Sequence, residues 1–439
     1  MASVRQRPEG RAGSGPPPSP AERDAAAGMS ARPAQAAIER AGPLPDDIPL
    51  TLIGHPYAPI GMGEQLRSHV QACNVLRLHH RVVDIFRYAQ RTDPAHFRVI
   101  GERERRDLPG GIRIFHINGD EVEPVIQAFE ARGGCFAGGT NIVVPAWELP
   151  AYPAAWAAQL RRFDEVWALS RFIQASLATA GLDSHLVGQA VELEEGTNLP
   201  RRHFGIRESA FVLLTFFDLS SYCSRKNPGA ARALLERIRR DDPYRDVQLV
   251  LKVKHGERAA EAWAADMADD PQVKVIAAPL DTLGVRSLMA ACDCFVSLHR
   301  SEGFGRGLGE AMALGRLAMG TGWSGNTDFM TETNALLVRH ELVPLQPGEY
   351  PYWQGQSWAD PDMDHAWSLL RPVLDDPDRG RAMACRGQAD VLRTHGNRAV
   401  GLRILERLER IAAGGAAARV SAAAPAPKGK GGRGGRKNG

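Results

Sequence analysis

Two successive series of short apolar segments, separated by helical patterns, constrain the fold of this chain more than any other sequence feature. The apolar segments are rich in β-branched residues and predict buried strands at 50–53, 82–86, 112–117, 141–144, 165–169, 211–216, 247–253, 273–276, 295–298, 317–320 and 335–338. Helical patterns lie between them, at 63–78, 153–162, 228–240, 282–291 and 310–314 among others. Strands that are apolar along their length and alternate with helices are typical of parallel sheets covered on both faces. The sequence therefore predicts an α/β protein with two Rossmann-like, doubly wound domains that face a cleft.

The domain boundaries follow from changes in composition along the 439 residues. A turn-rich linker near 195–200 separates the two series, which predicts an N-terminal domain at 48–200 and a C-terminal domain at 201–395. The helical segment at 396–412 is predicted to pack back on the N-terminal domain. Residues 1–47 and 413–439 are poor in large apolar residues, and we predict that both are disordered tails. We find no signal-peptide pattern and no apolar run of transmembrane length.

The positive net charge of +3 belongs to the C-terminal end of the chain. Residues 411–439 carry +6 and no acidic residue, so the rest of the chain carries −3. We therefore expect no specific nucleic-acid binding by the folded domains. The basic tail predicts weak contact with an anionic membrane surface, and its alternative interpretation is a solvated tail. Six cysteines are too sparse for a disulfide framework, which favours reduced thiols and a cytoplasmic location, peripheral to the inner face of the membrane.

The segment 297–312 is the part of the sequence that says most about chemistry. A predicted strand ends at 298, and a glycine-rich loop and then a helix beginning near 308 follow it. Glycines let the backbone approach a ligand closely, and a helix N-terminus offers free N–H groups to phosphate oxygens. Glu302 and Glu310 flank this loop, and paired carboxylates suit the hydroxyl groups of a sugar or ribose. The alternative for Glu310 is an acid that stabilises the helix dipole.

The full string from 302 to 313, together with Gly315, Thr321 and 325–326, resembles the glycosyltransferase group 1 domain, which is glycosyltransferase family 4. The resemblance implies the GT-B fold and a retaining transfer of a sugar from a nucleotide donor. It implies that Glu302 is catalytic and faces the donor sugar, and that Glu310 binds the ribose. It also assigns donor binding to the loop residues Gly303, Phe304, Gly305, Arg306, Gly307 and Leu308.

Arg225 and Lys226 follow the first strand of the second series and resemble the cations that bind the donor diphosphate in this family. Fixed cations stabilise the negative charge that develops on a departing diphosphate. Lysine is rare in this chain, with 7 Lys against 47 Arg, which makes Lys226 informative, although an exposed helix start is the alternative. The family commonly places its Arg five or six residues before the Lys, where this chain has serines. We therefore expect Arg225, Arg300 or Arg306 to take that role.

The first series contributes further candidates. Gly61 and Gly63 open a helix after the first strand and resemble the family loop that lies against the donor phosphate. His116 ends a later strand, where the family often has a histidine near the donor sugar, and its alternative is a hydrogen-bonded strand-end histidine. Segments around Trp147 and Trp167 resemble bacterial members that act on surface polysaccharides, and core packing is the favoured role of these rings.

The predicted function is that of a retaining glycosyltransferase that moves a sugar from a nucleoside-diphosphate donor to an acceptor hydroxyl. The expected partners are the nucleotide sugar and a glycan or lipid-linked acceptor, in the synthesis of a cell-surface polysaccharide or glycoconjugate. No cofactor and no metal is expected, because the histidines lack ligand spacing. The alternative is a catalytically degenerate GT-B protein that binds a nucleotide sugar or a partner without turnover.

Overall fold

The computed structural model describes residues 49–423, apart from 89–92, 109, 194–195, 219–220, 255–264, 266 and 268, with side chains up to residue 413. The predicted N-terminal tail, and residues 424–439 of the predicted C-terminal tail, lie outside the described residues. We refer to residues 49–193 as the first half and to residues 196–395 as the second half.

The first half is built on a six-stranded parallel sheet in the order β2-β1-β3-β4-β5-β6. Its strands are β1 (Leu50–Gly54), β2 (His80–Asp84), β3 (Gly111–Phe115), β4 (Gly139–Val143), β5 (Glu165–Ala168) and β6 (His185–Leu186). All five residues of β1 are buried, as expected for a strand covered on both faces. The strand β6 is missing from the sequence prediction, because its two residues form no apolar run.

Helices connect these strands and cover the sheet. They are α1 (Gly61–Val75), α2 (Pro94–Ile100), α3 (Val122–Ala131), α4 (Ala154–Leu160) and α5 (Arg171–Thr179). The helix α5 begins after Ser170, whose hydroxyl accepts a hydrogen bond of 3.1 Å from the backbone N–H of Ile173. This is the usual N-cap arrangement, and it fixes where α5 starts.

The second half repeats the same plan with a six-stranded parallel sheet in the order β12-β11-β10-β7-β8-β9. Its strands are β7 (Phe211–Asp218), β8 (Val247–Lys254), β9 (Val273–Ile276), β10 (Cys294–Ser297), β11 (Leu317–Thr321) and β12 (Leu336–Val338). Its helices are α6 (Cys223–Lys226), α7 (Pro228–Asp241), α8 (Thr282–Ala291) and α9 (Arg306–Ala313), then α10 (Met363–Asp375) and α11 (Pro377–His395). Two parallel sheets with helices between their strands confirm the predicted fold class.

An antiparallel hairpin, which the sequence did not predict, interrupts this pattern. Its strands are β13 (His340–Pro344) and β14 (Ser357–Pro361), and it lies between β12 and α10. The loop joining the two strands reaches the first half, where the Gln356 amide exchanges two hydrogen bonds of 2.8 Å with the backbone of Ala151. The hairpin therefore connects the two halves beside the cleft.

The last helix, α12 (Asn397–Ala423), returns to the first half. The guanidinium of Arg407 pairs with Glu165 of β5 at 2.6 Å, and Arg403 Nε donates to the carbonyl oxygen of Val187 at 2.7 Å. A β-carbon at Gly401 would lie 2.7 Å from the carbonyl oxygen of Ala72, so α12 and α1 approach closely there. The helix continues to Ala423, so the structure ends it eleven residues later than the predicted boundary at 412.

Candidate active site

The loop between β10 and α9 is held tightly on both sides. A β-carbon at Gly325, in the loop after β11, would lie 2.1 Å from the carbonyl oxygen of Gly303. From the first half, the Ser170 hydroxyl donates to that same carbonyl oxygen at 2.5 Å. A β-carbon at Gly303 would in turn lie 2.8 Å from the carbonyl oxygen of Trp147. Only glycine fits such approaches, and they place the loop at the junction of the two halves.

The backbone of Glu302 is fixed by the loop after β11. Its N–H donates to the Ser324 hydroxyl at 2.8 Å, and its carbonyl oxygen accepts from the N–H of Gly325 at 2.9 Å. Ser324 has φ of 72°, in the left-handed region that non-glycine residues rarely adopt. Backbone strain of this kind is concentrated at functional sites.

The carboxylate of Glu302 lies between two cations of the second half. The ammonium of Lys226 donates to Oε1, and Nη1 of Arg225 lies 3.2 Å from Oε2. The Glu302 side chain is only 12% exposed. Burial alone would raise the pKa of Glu302, but the charges of Lys226 and Arg225 outweigh burial and lower it to about 2. Glu302 is therefore ionised at neutral pH.

Arg225 is the arginine that stands beside Glu302, among the three that the sequence offered. Its guanidinium also donates to the carbonyl oxygen of Ser301 at 2.9 Å and to the hydroxyl of Ser221 at 3.0 Å. Burial would lower the pKa of Arg225, but the carboxylates of Glu302 and Glu148 raise it, so its charge is permanent. The other serine position, 220, lies outside the described residues.

The side chains of the two other candidate arginines pair with other carboxylates. Arg300 pairs with Glu349 at 3.7 Å and with Asp360 at 3.3 Å, and both partners belong to the hairpin region. Arg306, the first residue of α9, pairs with Glu310 instead, as described next.

Glu310 lies in the second turn of α9 and is bound by Arg306. Nη2 of Arg306 lies 2.5 Å from Oε1 of Glu310 and 3.3 Å from Oε2 of Glu64 in α1. Burial raises the pKa of Glu310, while Arg306 opposes that shift. The charged side chains of Glu64, Arg306 and Glu310 therefore link α1 of the first half to α9 of the second half.

The two glycines at the start of α1 differ in their surroundings. A β-carbon at Gly63 would lie 2.2 Å from the carbonyl oxygen of Ala58, so Gly63 is required by packing of the preceding loop. A β-carbon at Gly61 would meet no atom of the described residues within 4 Å. Gly61 therefore borders open space at the first turn of α1, and Gly63 does not.

His116 follows β3 and is fully buried in the first half. Its Nδ1 lies 3.3 Å from the Gln65 amide nitrogen, and its ring packs edge-on to His69 with centroids 5.0 Å apart. Its Nε2 has no hydrogen-bond partner among the described residues. Burial, followed by the neighbouring His69, lowers the pKa of His116 well below its ordinary value. Within the described residues no contact joins His116 to Glu302 or Lys226, and its catalytic role stays a prediction.

An aromatic cluster lies beside the Glu302 site and includes residues that the sequence reading missed. Trp147 is buried within this cluster, and Trp156 is half-buried and packs on Tyr352 of the hairpin loop with ring centroids 5.6 Å apart. Trp167 is buried in β5. Tyr350 of the hairpin loop donates its hydroxyl proton to Glu148 at 2.5 Å and lies below the guanidinium of Arg225. Side chains of the hairpin loop therefore lie beside the site, although no sequence motif predicted them.

Strained backbone also marks this region. Tyr222, Asn227, Ser324 and Tyr352 are four of the six non-glycine residues with positive φ among those described. Tyr222 and Asn227 flank α6, which carries Arg225 and Lys226, and the amide of Asn227 donates to the carbonyl oxygen of Leu298 at 3.0 Å. The short helix is therefore held in place by backbone conformations that only surrounding contacts can maintain.

The described residues include no group of three or more His, Cys, Asp or Glu side chains placed to hold a metal ion. None of the helices in that part of the chain has the length and apolar character needed to cross a membrane.

Comparison with known proteins defines the fold. No protein-family model matches the sequence, and no curated protein matches it. Among solved structures, HepE from Anabaena in complex with UDP and glucose matches with a TM-score of 0.58 and 13% identity, over 83% of this chain and 100% of HepE. Sucrose-phosphate synthase from Thermosynechococcus elongatus matches with a TM-score of 0.57 and 15% identity, over 84% and 100% of the chains. The chain has the GT-B fold. At these identities the likeness establishes the fold alone.

Proposed function

We propose that this chain is a retaining glycosyltransferase that transfers a sugar from a nucleoside-diphosphate donor to an acceptor hydroxyl. The observation that carries the proposal is the buried carboxylate of Glu302, held between Arg225 and Lys226 at the carboxyl edge of the second sheet. In doubly wound sheets ligands bind beyond the carboxyl ends of the strands. The match to HepE, whose structure contains UDP-glucose, supports a nucleotide sugar as the ligand.

The proposed chemistry is a displacement on one face of the sugar. The bond from the anomeric carbon to the phosphate oxygen breaks, the acceptor oxygen bonds to the same face, and the acceptor proton passes to the departing phosphate oxygen. The transition state has oxocarbenium character, which an ionised Glu302 stabilises without attacking. Lys226 and Arg225 stabilise the negative charge on the departing diphosphate.

Other residues complete the proposed donor site. The backbone of 303–308 lies against the diphosphate and the sugar hydroxyls, and Gly61 leaves space for a phosphate beside α1. Glu310 binds the ribose and His116 positions the sugar. Transfer requires no metal in this scheme, so chelation with EDTA leaves the rate unchanged.

The acceptor we propose is a glycan or lipid-linked molecule of a cell-surface polysaccharide or glycoconjugate pathway, used in the cytoplasm. The basic residues beyond 413 give weak attachment to an anionic membrane. Co-sedimentation with vesicles containing phosphatidylglycerol, lost when 413–439 is deleted while transfer to a soluble acceptor is kept, tests that attachment.

A donor panel tests the proposal directly. The protein is incubated with UDP-, GDP- and ADP-sugars, and nucleotide release is measured with and without simple glycoside acceptors. Wild type is expected to consume at least one donor, and Glu302→Gln and Lys226→Met are expected to lose that activity. Glu332→Gln, which changes an exposed acid of the second half, is the matched control. Full activity in both site variants would show that the assigned site is wrong.

One observation favours the alternative of a binding protein without turnover. Arg306 already forms an ion pair with Glu310, the carboxylate proposed to bind the ribose. If the ligand cannot displace Arg306, the site binds a nucleotide sugar incompletely or in another pose. Thermal stabilisation by UDP, GDP or ADP without nucleotide release from any donor sugar would establish this alternative.

A further inference from the structure

Two tyrosine side chains near the Glu302 site are exposed to solvent. Tyr222 precedes α6 and Tyr352 lies in the hairpin loop, and each residue is 44% exposed. Neither hydroxyl makes a hydrogen bond within the described part of the chain. Their φ angles of 51° and 55° lie in the left-handed region, which is costly for tyrosine, and such strain is concentrated at functional sites. Surrounding contacts therefore hold two exposed tyrosines in unfavourable backbone conformations.

Ring contacts connect these two tyrosines through buried aromatic residues. The ring centroid of Tyr222 lies 4.7 Å from that of Tyr350, which in turn lies 5.7 Å from the centroid of Trp147. The centroid of Trp147 lies 6.2 Å from that of Tyr352. Tyr350 and Trp147 are buried, so the two exposed rings lie at the ends. We refer to these four residues as the aromatic row.

The aromatic row contacts the charged centre through Arg225. The guanidinium of Arg225 lies 5.9 Å from the ring centroid of Tyr350 and 3.2 Å from Oε2 of Glu302. The carboxylate of Glu148, which is 23% exposed, accepts the hydroxyl proton of Tyr350 at 2.5 Å and lies 4.0 Å from Arg225. Arg225 thus contacts both the row and Glu302, which places the row next to the proposed centre of transfer.

The row lies on the side of Glu302 that the donor ribose does not use in the proposed scheme. Glu310, proposed to bind the ribose, is linked through Arg306 to Glu64 of α1, the helix that follows β1. Trp147 of the row follows β4, and β3 lies between β1 and β4 in the first sheet. The two regions are therefore separate along the cleft, and the aromatic side is left for the acceptor.

Exposed tyrosine rings beside a carboxylate match the chemistry of a sugar chain. The face of an aromatic ring carries partial negative charge, so it attracts the C–H groups on the face of a pyranose. The hydroxyl groups around the pyranose can bond to the free tyrosine hydroxyls and to the carboxylate of Glu148. An alkyl chain would cover these polar groups without bonding to them, which is costly. The surface therefore favours sugars over a lipid tail.

We propose that the aromatic row binds the acceptor as an oligosaccharide, with one sugar unit stacked on Tyr222 and another on Tyr352. This inference rests on the proposed function and deepens it, because it names the acceptor class and places the chain on the hairpin side of the cleft. A single sugar contacts one exposed ring, whereas a chain of sugars contacts both. Affinity therefore rises with the number of sugar units.

A glycan array followed by calorimetric titration tests the inference. Full-length wild type is applied to an array of oligosaccharides from cell-surface polysaccharides and is expected to bind at least one of them. The oligosaccharide that binds best and its shorter fragments, down to the monosaccharide, are then titrated. Tyr222→Leu and Tyr352→Leu are each expected to weaken binding of the full oligosaccharide about fivefold, the scale of one lost ring contact. Monosaccharide binding is expected to change less, so the gain in affinity with chain length shrinks.

Matched variants and thermal unfolding separate ring stacking from folding. Leucine also carries a β-carbon, so Tyr222→Leu and Tyr352→Leu leave the backbone strain as it is, and both are expected to unfold close to the wild-type temperature. Tyr222→Phe keeps the ring and is expected to keep most of the affinity for the oligosaccharide. Tyr244→Leu makes the same change at a fully exposed tyrosine before β8 and is expected to match wild type throughout.

Three outcomes would overturn the inference. The first is wild type that binds no oligosaccharide of the array, or leucine variants that both bind the full oligosaccharide as tightly as wild type does. The second is a lowered unfolding temperature with equal loss of oligosaccharide and monosaccharide binding, which would assign the tyrosines to folding. The third is affinity for alkyl glycosides that rises with alkyl length and falls in the leucine variants, which would assign the row to a lipid.

The proposed function is tested separately by nucleotide release in the donor panel, measured without acceptor. Tyr222→Leu and Tyr352→Leu are expected to release nucleotide from the donor sugar at the wild-type rate in that measurement. Nucleotide release by wild type without any oligosaccharide binding overturns the inference and leaves the proposed function standing. Absence of release from every donor, with or without acceptor, contradicts the proposed function whatever the array shows.

Discussion

The two halves hold different sets of buried titratable groups. At the second sheet, Glu302 is ionised between Arg225 and Lys226. In the first half, burial lowers the pKa values of His69 and His116 so that both rings are neutral, whereas the charges of Arg67 and Arg306 outweigh burial at Glu64 and lower its pKa to about 2. The second-half site therefore groups two cations around one carboxylate, whereas the first half combines neutral rings with an ionised carboxylate. The two halves therefore share a topology and differ in their electrostatics.

Removing Glu302 is expected to have the largest effect. Glu302→Ala leaves Arg225 and Lys226 buried without their counter-charge, which costs about 3–5 kcal/mol of unfolding free energy. Chemical denaturation measures the loss. Lys226→Met in the Glu302→Ala background removes one of the stranded cations and is expected to restore part of the stability. Equal destabilisation of single and double variants would show that the three charges do not act together.

His69 and Glu302 are expected to contribute stability that is lost in different pH ranges. Burial lowers the pKa of His69 from 6.5 to about 4, so below pH 6.5 the unfolded chain binds a proton that the folded chain does not. Stability contributed by neutral His69, about 3 kcal/mol, is thus lost as the pH falls from 6.5 to 4. Glu302, lowered from 4.5 to about 2, contributes stability that is lost only between pH 4.5 and 2.

Urea unfolding of wild type and His69→Gln between pH 7 and pH 4 checks this difference. Other buried histidines, such as His80 and His395, also contribute stability that is lost as the pH falls, because burial lowers their pKa values to about 4 as well. The variant is therefore expected to show a shallower decline rather than none. A decline as steep as in wild type would mean that His69 is not neutral in the fold.

Two glycine substitutions compare the two sides of the cleft. Gly325→Ala places a β-carbon 2.1 Å from the carbonyl oxygen of Gly303 and is expected to cost about 1–3 kcal/mol, with loss of activity. The added methyl group of Gly61→Ala meets no atom of the described part of the chain within 4 Å, so stability is expected to stay within about 0.5 kcal/mol of wild type. Its methyl group enters the proposed phosphate space, and affinity for the nucleoside diphosphate is expected to fall severalfold. Unchanged affinity would place the phosphate elsewhere.

The smallest effect is expected at the hairpin. Tyr350→Phe removes one hydrogen bond to Glu148 and keeps the ring beneath Arg225. A loss of about 1 kcal/mol is expected, seen as a few-fold decrease in kcat/KM. Tyr244→Phe, which changes a fully solvent-exposed tyrosine, is the control and is expected to leave kcat/KM unchanged. A large loss in Tyr350→Phe would assign the hydroxyl a direct role.

The sequence predicted most of the two sheets because their strands are buried on both faces and read as apolar runs. It missed the hairpin because β13 is mostly exposed and carries no apolar run. The sequence left Arg225, Arg300 and Arg306 open for the diphosphate role. It did not predict the pairing of Glu302 with Arg225, since the two lie 77 positions apart and only the fold joins them. The ion pair between Glu64 and Arg306 joins residues that are still farther apart in the sequence, so no local sequence pattern predicts it.

Nuclear magnetic resonance of the transfer reaction tests the central claim most directly. Wild type is incubated with the donor that it consumes and a glycoside acceptor, and the anomeric signal of the product is compared with that of the donor. An α-linked donor is expected to give an α-linked product in wild type and in Glu332→Gln, with no product from Glu302→Gln. Inversion to a β-linked product, or turnover by Glu302→Gln at the wild-type rate, would contradict a retaining transfer centred on Glu302.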